Sequence, residues 1–180
     1  MTANDVVDLF RLICVLFPQS ARNFQGADAL ARDAWHEMLR DAPAEVVGAA
    51  IKKHAATHVF APSIAEIREA VAAVQNPETQ IGPDEAWGMV ARAIGRYGYA
   101  NKAGALASLP APVARCAERF GWRELCLSET PDVVRGQFRK AYEAQIGRER
   151  QDAAIPEGLR QELGRLAAGM GLLLEDGAAP

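Results

Sequence analysis

The chain has 180 residues, 49% of them hydrophobic and 24% charged, enough apolar side chains to build one ordinary domain or two small helical ones. A polypeptide disordered throughout is therefore excluded. The formal net charge of -3 excludes a globally basic nucleic-acid binder, although so mild an average can conceal a local basic face. The three cysteines, Cys14, Cys116 and Cys126, form no CxxC pair, and their odd number predicts reduced thiols in a cytosol. Asp5, Asp8 and Arg11 interrupt the apolar start of the chain, so neither a signal peptide nor a membrane span is expected there, and the predicted location is the cytoplasm.

In chain order, Val6, Leu9, Phe10, Ile13, Cys14, Leu16 and Phe17 recur at steps of three and four, which predicts a helix ended by Pro18. Thr2 and Asp5 form a variant capping box at its start. Leu30, Ala34, Trp35, Met38 and Leu39 stripe a second helix. Pro43 opens a third, whose inner face is Val46, Val47, Ala50, Ile51 and His54. After a short link, Ser63 and Glu66 make a full S-x-x-E capping box ahead of Ile64, Ile67, Val71 and Val74.

The polar, aperiodic stretch Gln75 to Gly82 reads as a linker, placed at residues 76–82 between a four-helix unit of residues 1–75 and a second unit of residues 83–152. In the second unit Ala86, Trp87, Val90, Ile94 and Tyr97 stripe a helix that should stop by Gly98. Short helical pieces follow near Leu106, from Pro112 to Phe120, and from Trp122 to Cys126, with Gly121 as a C-terminal cap. Thr130 and Pro131 start a long helix carrying Val134, Phe138 and Tyr142 and reaching about Arg150. Residues 153–180 are expected to be a flexible, weakly structured tail in which Leu159, Leu163 and Leu166 hint at a short helix. The predicted class is all-α throughout.

No G-x-x-x-x-G-K-[ST] phosphate loop and no G-x-S-x-G elbow is present, so the chain is not expected to be an enzyme, nor to use a cofactor. His54 and His58 stand one helical turn apart, but HExxH lacks its glutamate here and no third ligand lies nearby, so a helix-end role for His is the plainer reading than a metal site. His36 beside Glu37 likewise reads as a surface pair. By segment, residues 1–75 hold 7 basic and 9 acidic side chains, residues 76–150 hold 11 and 9, and residues 151–180 hold 2 and 5. The basic excess lies in the middle, where Arg115, Arg119, Arg123, Arg135, Arg139 and Lys140 are candidates to bind phosphates. Interleaved Glu118, Glu124 and Glu143 allow a solvated, salt-bridged surface instead. Trp35, Trp87 and Trp122 read as core anchors. The leucines at 159, 163 and 166 serve either as a lid on the core or as a docking helix for a partner groove.

The segment from Trp35 to Ala70, WHEMLRDAPAEVVGAAIKKHAATHVFAPSIAEIREA, resembles a bacteriophage family of loaders and inhibitors of the phage replicative helicase. The resemblance is carried by Trp35, Leu39, Lys52, Lys53, Phe60, Pro62, Ser63, Ile64 and Ile67, most of them expected to be scaffold residues, and by Phe17 and Pro18 at the end of the first helix. AWGMVARAIGRYGY at 86–99, FGWRELCLSE at 120–129 and FRKAYEA at 138–144 are similar to the downstream half of longer prophage proteins of the same kind. The resemblance implies an adaptor that uses no nucleotide, binds the hexameric helicase, restrains it and delivers it to an origin-bound initiator protein. Partner contact is expected at Arg148, Arg150, Leu159, Leu163 and Leu166. The alternative is an accessory protein that binds DNA weakly through the arginine-rich second unit.

Overall fold

Helix α1, Ala3–Leu16, begins where the sequence places it: the Thr2 backbone N–H donates to Asp5 Oδ2 at 2.6 Å and the Asp5 N–H to Thr2 Oγ1 at 3.3 Å, closing a reciprocal cap. This computed structural model describes residues 1–176, with side chains as far as Met170. Val6, Leu9, Phe10, Ile13 and Phe17 are buried, whereas Leu16 lies at the exposed edge of the stripe. Helix α2 is Ala29–Leu39, capped by Asp28, whose side chain accepts from the Ala31 N–H. Only Leu39 of its predicted stripe is fully buried, and Leu30, expected inside, is 78% exposed. The helix is short and meets the core mainly at its C-terminal end. Its Trp35 instead joins Phe10 and Phe24 in an edge-on aromatic cluster with centroids 5.2–5.7 Å apart.

Helix α3, Ala44–Ala55, follows Pro43 and buries Val47, Ala50 and Ile51. Helix α4, Ile64–Gln75, starts at the predicted box: Ser63 N–H donates to Glu66 Oε2 at 2.7 Å and Glu66 N–H to Ser63 Oγ at 3.3 Å. Replacing Ser63 by alanine removes one half of this exchange, so a loss of about 1 kcal/mol is expected in urea unfolding. Leu9, Ile13, Phe17, Leu39, Val47, Ile51, Ile67 and Val71 close the first core.

The chain divides into two compact units, one formed by residues 1–72 together with those from Ala153 onward, the other by Ala73–Asp152. The stretch expected as a linker is therefore part of the second unit. Pro77–Gln80 forms a turn of 3-10 helix with Thr79 buried. The Thr79 carbonyl accepts from Arg150 Nε at 2.8 Å, and the Ile81 carbonyl from the Tyr142 hydroxyl at 3.3 Å. Local polarity hid these partners, which lie more than sixty residues away.

Within the second unit, α5 (Pro83–Tyr97), α6 (Lys102–Ala107), α7 (Ala111–Phe120), α8 (Trp122–Leu127) and α9 (Pro131–Ala154) surround a second core. Gly98 ends α5 with φ 64°, and Gly121 stands between α7 and α8 with φ 106°, conformations that a side chain would strain. Val134, Phe138, Tyr142 and Ile146 of α9 form the central row, meeting Val90, Val113, Cys116, Trp122 and Leu125. The long helix runs to Ala154, beyond the expected end, because no proline or glycine interrupts it after Gly147. Pro156 then allows a new start, and α10, Glu157–Asp176, follows. Among the described residues there are ten α-helices, two 3-10 turns and no strand.

Candidate partner-binding site

The attachment of α10 begins with a charge inside the first unit. Arg68 on α4 is 6% exposed, a position a guanidinium tolerates only when its donors are met. Asp41, just beyond α2, takes both terminal nitrogens: Nη1 pairs with Oδ1, and Nη2 donates to Oδ2 at 3.1 Å. Nε donates to the Ala154 carbonyl at 2.8 Å. Asp41 Oδ2 also accepts the Glu157 N–H at 3.1 Å, one of the amides left free in the first turn of α10. Burial opposes the Asp41 charge, but the Arg68 hydrogen bond and the Glu157 amide outweigh it and hold the carboxyl below its ordinary value. Gly158 leaves space into which the Arg40 guanidinium settles. One carboxylate thus joins α4, the end of α2 and the start of α10.

Past this anchor the helix stands open. Every described side chain from Arg160 to Met170 is exposed. Leu159 is half-buried at the anchored end, while Leu163, Leu166 and Met170 are 50%, 59% and 64% exposed. Positions 159, 163, 166 and 170 alternate steps of four and three, which keeps them on one face. The stripe is open to solvent rather than closed over the core. The ends of the side chains are apolar, the shape and chemistry that insert into a groove on another protein.

The expected arginines divide. Arg150 is committed to the Thr79 carbonyl, and Arg148 is exposed without an ion pair among the described residues. Arg115 pairs with Glu149 through Nη2 at 2.9 Å and Nε at 3.3 Å. Arg135 and Arg139 converge on the single carboxylate of Asp84 at 3.5 and 2.9 Å. Arg119, Arg123 and Lys140 are exposed and carry no ion pair among the described residues. Half of the proposed phosphate set is therefore already neutralised within the fold. Sequence reading passed over Arg92 and Arg96, which sit on the exposed side of α5 and have no ion pair among the described residues either. Their signal was available: no acidic residue stands three or four places from either of them in the helix.

Phe60, expected to be scaffold, is 70% exposed; its carbonyl, not its ring, is used, by His54 Nε2 at 3.2 Å. His54 and His58 stack with centroids 4.0 Å apart, and His58 Nδ1 lies 2.8 Å from Thr57 Oγ1. Among the described residues no three His, Cys, Asp or Glu side chains come together so as to hold a metal ion. His36 Nε2 meets the Met1 carbonyl at 3.1 Å, not Glu37. Cys116 is buried, and burial pushes its thiol up to about 11. Among the described residues no helix is long and apolar enough to cross a membrane.

Residues 1–68 match the family model for the N-terminal domain of the phage gene-39 protein. The match ends at Arg68, and it covers the region in which Trp35 to Ala70 carries the resemblance. No curated protein and no solved structure matches the chain. Over residues 1–68 the chain is an N-terminal domain of this kind, and through it belongs to a non-catalytic family of phage helicase loaders and inhibitors.

Proposed function

We propose that this protein is a phage replication adaptor that grips the hexameric replicative helicase, restrains it, and delivers it to an origin-bound initiator in the cytoplasm of the bacterial host. The observation that carries this reading is the open stripe of Leu163, Leu166 and Met170 on a helix anchored to the loader-type N-terminal domain by Asp41. An apolar helical face of this kind binds by entering a groove, and a ring helicase offers such grooves at its subunit boundaries. The adaptor contributes binding energy alone, because no phosphate loop occurs in the chain. Restraint follows if the helix binds one state of the ring better than the others, since only a difference in affinity can shift an equilibrium.

The test is co-elution of the full chain with the cognate hexamer on a sizing column in the presence of ATP. The wild-type chain should move with the ring, and Leu163→Glu/Leu166→Glu should weaken binding by a factor of ten or more, about 1.4 kcal/mol at least. Its melting temperature should be unchanged, because both side chains are exposed. Separate elution of the wild-type chain and helicase, or undiminished binding by the double variant, would overturn the proposal.

A further inference from the structure

The second unit contains a groove of about 480 Å³ between α5 and the turn from α6 into α7, lined by Met89, Arg92, Arg96, Tyr97, Ser108 and Leu109 among others. We infer that this groove binds the phosphodiester backbone of single-stranded DNA, with Arg92 and Arg96 on successive phosphates. The inference rests on the second unit alone and does not require the helicase reading.

Three features select this ligand. First, the two guanidiniums project from positions four apart on α5, so their stems are neighbours on one face. Neither is neutralised by an ion pair among the described residues, and none of the residues lining the groove is acidic. Arg115, Arg135 and Arg139 lack that freedom, since Glu149 and Asp84 already hold them. Second, both cations are supported in place. Arg96 lies over the Tyr97 ring, 5.4 Å from its centroid. Arg92 leans back over Gly88, with Nη1 3.6 Å from where a Cβ would stand and no competing side chain there. Third, the walls beside the cations are apolar and aromatic, supplied by Met89, Tyr97 and Leu109.

Cations bordered by apolar and aromatic walls match an unpaired strand, whose backbone is charged and whose bases are flat and poorly hydrated. A duplex keeps its bases inside and would leave those walls unused. An acidic peptide would meet the cations but gain little from the aromatic floor. A guanidinium already stacked on a ring also presents its outer plane to a base, a common mode for single strands. The start of α7 at Pro110, which no side chain caps, adds the positive end of a helix dipole to the same groove.

The experiment is fluorescence anisotropy of a labelled thymidine oligomer of about 20 nucleotides with the full chain, titrated from roughly 50 to 200 mM salt. Wild-type binding should weaken steeply with salt. Arg92→Ala/Arg96→Ala should bind at least tenfold more weakly and show a log–log salt slope shallower by about 1.4, the value for two lost single-strand phosphate contacts. Arg119→Ala/Arg123→Ala should retain most of the affinity. Thermal melting of each variant checks the fold, which exposed arginines leave intact. Absence of wild-type binding at low salt, or an unchanged Arg92→Ala/Arg96→Ala variant, would overturn the inference. So would equal affinity for a duplex of the same length, or displacement of the strand by polyglutamate at equal charge, which would mark an acidic-peptide site.

Discussion

Replacing Asp41 by alanine should destabilise the first unit by about 3 kcal/mol and lower its melting temperature by roughly 10 °C, as read by calorimetry of the full chain. The cost arises on the partner that remains. Arg68 is 6% exposed, and without Asp41 its two terminal nitrogens lose their acceptors, leaving only the Nε bond to Ala154. Water cannot reach the charge cheaply, so a buried cation stays unpaired. Arg68→Met should cost less, because it removes the buried charge and leaves an apolar stem, while Asp41, more exposed than its partner, can recover solvent. The double variant should be no worse than Asp41→Ala alone, the non-additivity expected of a coupled pair. Amide exchange at Glu157 should quicken in Asp41→Ala, because that N–H loses the Oδ2 acceptor. If Arg68→Met proved the more damaging change, the interaction would owe its strength to packing rather than to charge.

The same carboxylate gives the first unit an acid-sensitive step. The Asp41 pKa is lowered from 3.8, against burial, by the Arg68 and Glu157 hydrogen bonds. A group whose folded pKa is depressed contributes stability that is fully present above its unfolded pKa and is lost as pH falls through the folded one. Glu66 acts in the same direction, held below 4.5 chiefly by the Ser63 backbone N–H and then by the Ser63 hydroxyl. Stability should hold steady near neutral pH and decline below about pH 4. In Asp41→Ala that decline should be shallower.

What the sequence disclosed was what lies close along the chain. Both capping boxes, Thr2 with Asp5 and Ser63 with Glu66, are three-residue signals, and both are formed. The row Val134, Phe138 and Tyr142 was visible as steps of four and occupies the second core. Partners distant in sequence were not visible. Asp41 and Arg68 are 27 residues apart, and nothing in either neighbourhood marks a buried pair. Leu30 and Phe60 fit apolar patterns yet face solvent, because periodicity reports which face is apolar and not whether a neighbour covers it. The open leucine face of α10 was legible in spacing, but choosing between lid and docking surface required knowing that the helix is held only at its first turn. For the basic residues, the count of arginines drew attention to α7 and α9. The acids that neutralise several of them come from other helices, so the unpaired couple on α5 was missed.

Phe138→Ala should remove about 3–5 kcal/mol from the second unit, the largest effect expected of any single truncation in it. The ring is fully buried, with centroids 5.6 Å from Trp87, 5.9 Å from Phe120 and 6.2 Å from Tyr142. Its loss leaves a cavity that three rigid aromatic neighbours cannot readily fill. The variant also separates the two proposed interactions. The groove of Arg92 and Arg96 depends on the second core, whereas α10 and the loader-type N-terminal domain belong to the other unit. At a temperature that melts only the variant's second unit, single-strand binding should vanish. Helicase binding should fall by less than tenfold, since α10 remains tied by Asp41 and lengthening an already long loop adds little closure entropy. Leu163→Glu/Leu166→Glu should give the opposite pattern, with strand binding kept and co-elution lost. Parallel loss of both activities in either variant would mean that helicase and strand are held by one shared surface instead of two.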